Sequence, residues 1–161
     1  MRIFIIFMLS IQVVLADDLL DKFHDPQKQA GKADNGLYQQ NCGECHMAYQ
    51  PAFLPQASWA TMMQAEQLSE HFGDNARLAE ADRQAIEAYL TQNSRQGKHQ
   101  SLRITEQAFF RDEHKEIPAK YLKNNPVPLL SQCNVCHQKA SDGLYEDDFV
   151  TLPNHGHWED D

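Results

Sequence analysis

Cys42-Gly43-Glu44-Cys45-His46 and Cys133-Asn134-Val135-Cys136-His137 decide how this chain folds. Together they use all four cysteines, in two C-x-x-C pairs that are each followed at once by histidine. Two residues wound in a helical turn separate the thiols by the span between the vinyl groups on one porphyrin edge. The next residue then aims its imidazole at the iron. A redox dithiol would have no use for histidine there, and no βαβ pattern surrounds either motif. A four-cysteine zinc site fits poorly, because 87 residues separate Cys45 from Cys133, far outside ribbon spacing. With 8 histidines in 161 positions, the chance of two falling so by accident is on the order of 0.0025. Cys42, Cys45, Cys133 and Cys136 are therefore read as thioether links to two haem c groups. His46 and His137 are the proximal iron ligands by position.

The first sixteen residues stand apart from the rest. Arg2 is followed by an almost wholly apolar run from Ile3 to Leu15, and Ala16 precedes the acidic pair Asp17-Asp18. The run falls short of the ~20 apolar residues that a membrane span requires. A charged start, an apolar middle and a small-residue end describe a secretory signal peptide, with an uncleaved anchor as the alternative. The expectation is a mature chain exported to the periplasm, with no transmembrane segment after cleavage. Losing Arg2 leaves 13 Lys and Arg against 23 Asp and Glu. So acidic a chain is unsuited to nucleic acid; its field would steer in a partner with a basic patch, or serve only solubility.

Helical periodicity dominates and strand alternation is absent, so the fold class expected is all-α: two small haem-organised helical domains, residues 17–97 and 98–161. A helix should begin near Asn35 and run into the first motif, after a loose lead-in over 17–33. Tyr49 to Pro55, with prolines at Pro51 and Pro55, reads as a loop. Ser58 is a candidate cap for the next helix, whose inward stripe would be Met62, Ala65, Leu68 and Phe72, with Gly73 ending it. A further helix follows Asp82 with Ala85, Ile86, Tyr89 and Leu90 inward. Residues 95–101 contain no apolar side chain and read as the linker. Thr105 should cap a helix that turns Ala108, Phe109 and Phe110 inward, and Pro118 should stop it. Asn125-Pro126-Val127-Pro128 reads as an extended approach to the second motif. Asp142-Gly143 reads as a turn, and residues 151–161 as an exposed acidic tail.

The occupant of each sixth iron position decides the chemistry, since an open site binds gases or peroxide and a filled one restricts the haem to electron transfer. Met47 directly follows a proximal ligand and cannot easily reach the opposite haem face, while Met62 and Met63 suit a packed core. His71, at a helix end beside a glycine, is the candidate for the first haem. His114, near Phe109 and Phe110, is the candidate for the second. His99 belongs with the polar linker. His155 or His157 could stand in for His114, and ligation crossed between the halves stays open. Trp59 and Tyr38 are read as core residues. Paired imidazoles and nearby carboxylates favour Fe(III) and hence a low potential.

Gly36, Tyr38 and the first motif, with Ile86-Glu87-Ala88-Tyr89-Leu90, resemble a class I cytochrome c, a fold whose two terminal helices cross closely at the glycine. More specifically, His46-Met47-Ala48-Tyr49-Gln50-Pro51, Leu54-Pro55, Ser58-Trp59 and His71-Phe72-Gly73 resemble the dihaem cytochrome c family. Arg103-Ile104-Thr105, Phe110, His114, the second motif and Gly143 extend the likeness over roughly residues 34 to 153. The resemblance implies His71 and His114 as distal ligands and a second half unlike ordinary class I cytochromes. It also implies two partners, a small oxygen-binding monohaem cytochrome and a b-type membrane cytochrome. The expected function is an electron carrier rather than an enzyme; a dihaem peroxidase is the alternative, and it would need one open iron.

Overall fold

The computed structural model describes residues 31–122, 129–153 and 155–157. The leader, the lead-in as far as residue 30, the 125–128 approach and the last four residues of the tail lie outside the described residues.

The all-α expectation holds. Helix α1 spans Gly36–Cys42, and Asn35 caps it: its Oδ1 accepts from the Tyr38 N–H at 2.9 Å. A 3-10 turn over Pro51–Phe53 leads into α2 (Gln56–Met62) and α3 (Ala65–Ser69). Helix α4 covers Glu80–Asn93, α5 Ala108–His114, α6 Ala119–Leu122 and α7 Cys133–Cys136. The tail is less open than expected. β1 (Thr151–Leu152) pairs antiparallel with β2 (Gly156–His157), setting Thr151 opposite His157, and Leu152 is buried.

Several local expectations need correction. Pro55, not Ser58, stands at the start of α2. Ser58 is wholly buried, and its hydroxyl donates to the Gln100 carbonyl at 3.0 Å while accepting from the Gln100 N–H at 2.9 Å. Residues 95–100 are thereby strapped along α2, helped by the Gln56 N–H donating to the Arg95 carbonyl at 3.0 Å. The single helix expected between Ser58 and Gly73 is broken after Met62. That break turns the face: Met62, Met63 and Leu68 are buried, whereas Ala65 is exposed and Phe72 is 46% exposed. In α4 the stripe narrows to Ile86 and Leu90, one turn apart and both fully buried, with Tyr89 half-buried and Ala85 outside. Thr105 lies in a 3-10 turn over Ile104–Glu106, and α5 opens after buried Gln107; Phe110 is buried and Ala108 exposed. That helix ends at His114, and Pro118 instead precedes α6.

Helices α1 and α4 meet through Tyr38 and Tyr89, whose ring centroids lie 5.8 Å apart. Gly36 plays no part in that approach, because a Cβ there would meet nothing within 4 Å. Gly143 is different. It sits at φ +79 and a Cβ would strike the Gly31 carbonyl oxygen, so the turn after Asp142 demands glycine. One continuous cluster of buried side chains runs from Tyr38 and Trp59 through Ile86 and Leu90 to Phe110, Ala140 and Tyr145. Each Leu or Ile so buried stabilises the fold by about 1.5–3 kcal/mol. No helix among the described residues is long and apolar enough to cross a membrane.

Candidate haem centres

Helix α1 ends on Cys42, and the turn that follows carries Cys45 and His46 to the face of the core. The His46 Nδ1 lies 2.7 Å from the Met47 carbonyl and donates to it, which leaves Nε2 with its lone pair free. Opposite stands His71, with ring centroids 6.3 Å apart and planes inclined by 28°. His71 is held in a tight reversal that it closes with Asp74. Phe72 at φ 54 and Gly73 at φ +107 both take left-handed backbone there. The Arg103 guanidinium lies 4.2 Å from the Phe72 ring centroid and fixes the outside of this turn.

The second pair is built from α5 and α7. His114 is the last residue of α5, its Nδ1 donating to the Phe110 carbonyl at 2.8 Å and its ring stacked on Phe110 at 3.9 Å. His137 follows α7 directly and is bridged to Val150. The two rings stand 6.0 Å apart with planes crossing at 66°. A cavity of about 370 Å³ opens between them, walled by Phe53, Phe109, Ile104, Leu152, Cys133 and Cys136.

These separations suit a shared metal. Two imidazoles bonded to one first-row ion at about 2 Å each hold their ring centroids about 6 Å apart. The electrostatics agree. Burial, then the facing His46, hold His71 below the ordinary histidine value, and burial does the same for His114. His137 is pushed down to about 4 by burial first and by His114 second. Neutral rings are the form that offers a lone pair to iron. His71 Nδ1 is buried without a hydrogen-bond partner; the Tyr145 backbone approaches His137 Nδ1 without the geometry of a full hydrogen bond.

The cysteines form no disulfide, and burial pushes the Cys42 and Cys133 thiols up to about 11. They are poor thiolates, unlike those of a dithiol redox centre or a metal–thiolate site. Among the described residues no three His, Cys, Asp or Glu side chains gather closely enough to hold a bare metal ion. His99, His155 and His157 are exposed; His155 lies against Tyr121, and His157 Nδ1 donates to the Val150 carbonyl. Met62 and Met63 are core residues, as are Trp59, which donates to the Pro51 carbonyl at 2.7 Å, and Tyr38, which donates to the Tyr49 carbonyl at 2.9 Å.

The family model for dihaem cytochrome c matches residues 38–145, spanning both motifs. The chain belongs to the dihaem cytochrome c family. It is similar to the crystal structure of a dihaem cytochrome type c from Shewanella baltica: 41% identity, TM-score 0.70, covering 78% of this chain and 98% of that one. It is also similar to two structures of dihaem cytochrome c from Rhodobacter sphaeroides. One is 34% identical with TM-score 0.64 and the other 36% with 0.63, covering 72% and 71% of this chain and 100% and 99% of those. A search of curated proteins finds no match. The family carries two covalently attached haem c groups and is an electron-carrier type rather than an enzyme. Its activity is haem-based electron transfer.

The sequence did not single out Tyr49, Gln50 or Tyr145. Tyr49 stacks on His46 at 4.6 Å, Tyr145 lies 5.2 Å from His137, and buried Gln50 joins them. Tyr49 and Gln50 stand within four residues of the first motif and inside the His46-to-Pro51 run that carries the family resemblance, and that run is the signal that could have marked them.

Proposed function

We propose that this dihaem cytochrome is a periplasmic, low-potential electron relay in which His46 with His71, and His114 with His137, ligate the two irons. The observation that carries the reading is the pair of facing imidazoles, 6.3 and 6.0 Å apart. Each haem c, when bound, supplies a one-electron Fe(III)/Fe(II) couple. The chain's own groups decide how that couple is used. His46 with His71, and His114 with His137, would hold the iron from opposite sides, and a haem so held would offer no vacancy to oxygen or peroxide. The Met47 and Phe110 carbonyls accept from His46 and His114, which orients those rings and strengthens them as donors. Two nitrogen ligands and an acidic chain favour Fe(III), and so a low potential.

The leader-like segment before Asp17 supports export, and the family resemblance supports a b-type membrane cytochrome as donor and a small oxygen-binding monohaem cytochrome as acceptor. The acidic surface would steer a basic patch on either partner.

Carbon monoxide added to the reduced protein tests the ligation. The expected outcome is an unchanged spectrum at both haems; a shifted Soret band would reject the reading. A potentiometric titration tests the second part, and either haem well above about +100 mV would overturn it. Fractionation of expressing cells, with the haem-stained band found outside the periplasm, would remove the location.

A further inference from the structure

Gln50 is fully buried, and a buried amide needs its polar atoms satisfied. Both partners come from far along the chain. Its Nε2 donates to the Ala140 carbonyl at 2.6 Å, and its Oε1 accepts from the Tyr145 hydroxyl. Tyr145 in turn sets its ring 5.2 Å from His137. On the other side the neighbour of Gln50, Tyr49, stacks on His46 at 4.6 Å with planes only 20° apart. The Tyr49 hydroxyl donates to the carbonyl of Ser131, two residues before Cys133. An unbroken run of ring contacts, backbone and hydrogen bonds, stacked at His46 and tilted by 58° at His137, therefore leads from one motif histidine to the other.

We propose that Tyr49, Gln50 and Tyr145 form a bracket that joins the two proximal sides, fixing the mutual orientation of the two haem groups and with it the rate of electron exchange between them. The inference rests on the reading of His46 and His137 as iron ligands. The three are positioning residues: none need touch a partner or change its own redox state. The exchange moves one electron, oxidising one iron as the other is reduced, with no bond made or broken.

The chemistry of the bracket suggests its own control. Removing Gln50 or the Tyr145 hydroxyl alone strands the other polar group in the core, whereas replacing both by apolar groups of similar shape is nearly neutral for stability. The double variant Gln50→Leu/Tyr145→Phe therefore cuts the link, and the Ala140 carbonyl, which loses the Gln50 amide, still accepts from the Gly143 N–H at 2.9 Å, which spares the fold. Tyr49→Phe cuts the second link, to Ser131, and keeps the ring on His46.

The test uses haem-loaded protein. Circular dichroism in the Soret region reports the relative orientation of two neighbouring porphyrins, and flash reduction by one electron reports exchange between them. Both variants should keep the wild-type low-spin paramagnetic resonance spectrum, alter the Soret couplet and slow exchange several-fold. A purely structural role would lower the melting temperature and leave couplet and rate alone. Wild-type couplet and wild-type rate in both variants would overturn the bracket. Carbon monoxide binding to the wild-type protein would instead overturn the ligation, so the two failures are told apart.

Discussion

The rings of His114 and His137 cross at 66°, whereas those of His46 and His71 are inclined by only 28°. In a low-spin ferric haem, near-parallel ligand planes lift the degeneracy of the iron π orbitals, and crossed planes nearly restore it. The oxidised protein should thus give two paramagnetic resonance signals of comparable weight. One should be an ordinary rhombic spectrum from the first haem, and the other a strongly anisotropic one from the second. A single homogeneous signal would contradict the two geometries.

His114→Ala removes one ring of the second pair together with its stack on Phe110. That stack contributes about 0.5–1.5 kcal/mol beyond area burial, so a measurable loss of stability is expected. The reduced variant should bind carbon monoxide at one haem of the two, seen as a difference spectrum of half the full amplitude. No binding at all would mean that another side chain fills the position.

Acid should weaken the fold in a defined window. His137 is held at about 4, with His71 and His114 also below 6.5. Depressed folded values mean that the unfolded chain takes up more protons between the two limits. The stability lent by these neutral rings is complete above the ordinary histidine value and is lost as pH falls through about 4 for His137, and a bond to iron would push that loss lower still. Melting temperatures recorded across that range should fall steadily with acidification. A flat profile would refute the account.

Two polar side chains should matter well beyond their size. Ser58→Ala removes both hydrogen bonds that the buried hydroxyl makes to the Gln100 backbone, which costs about 1–3 kcal/mol. Asn35→Ala removes the cap of α1 and should cost about 1 kcal/mol. Denaturant titration of the haem-loaded variants should rank Ser58→Ala as the more damaging. The reverse order would show that the strap over α2 is dispensable.

The two motifs, the helix start near Asn35, the stripe of Ile86 and Leu90 and the turn at Asp142-Gly143 are all legible in the sequence, because each is marked by residues close together in the chain. His71 and His114 were within reach because both lie at the end of a recognisable segment. What stayed hidden depends on distant partners. Ser58 looks like a cap until Gln100 arrives from 42 residues away, and Gln50 looks like a loop residue until Tyr145 arrives from 95. The break after Met62 was equally invisible, since Gln64 is no helix breaker by type and tertiary packing overrides propensity there.

Tyr38, Ile86, Phe110 and Tyr145 share one interior, so the two redox centres have no separate foundations. A chain that received a single macrocycle during maturation would not be half of a functioning carrier. The empty side would leave a void in the support of the loaded one, and such a molecule is a natural substrate for quality-control proteolysis. Supply of the prosthetic group and abundance of this protein should therefore be linked more steeply than in proportion.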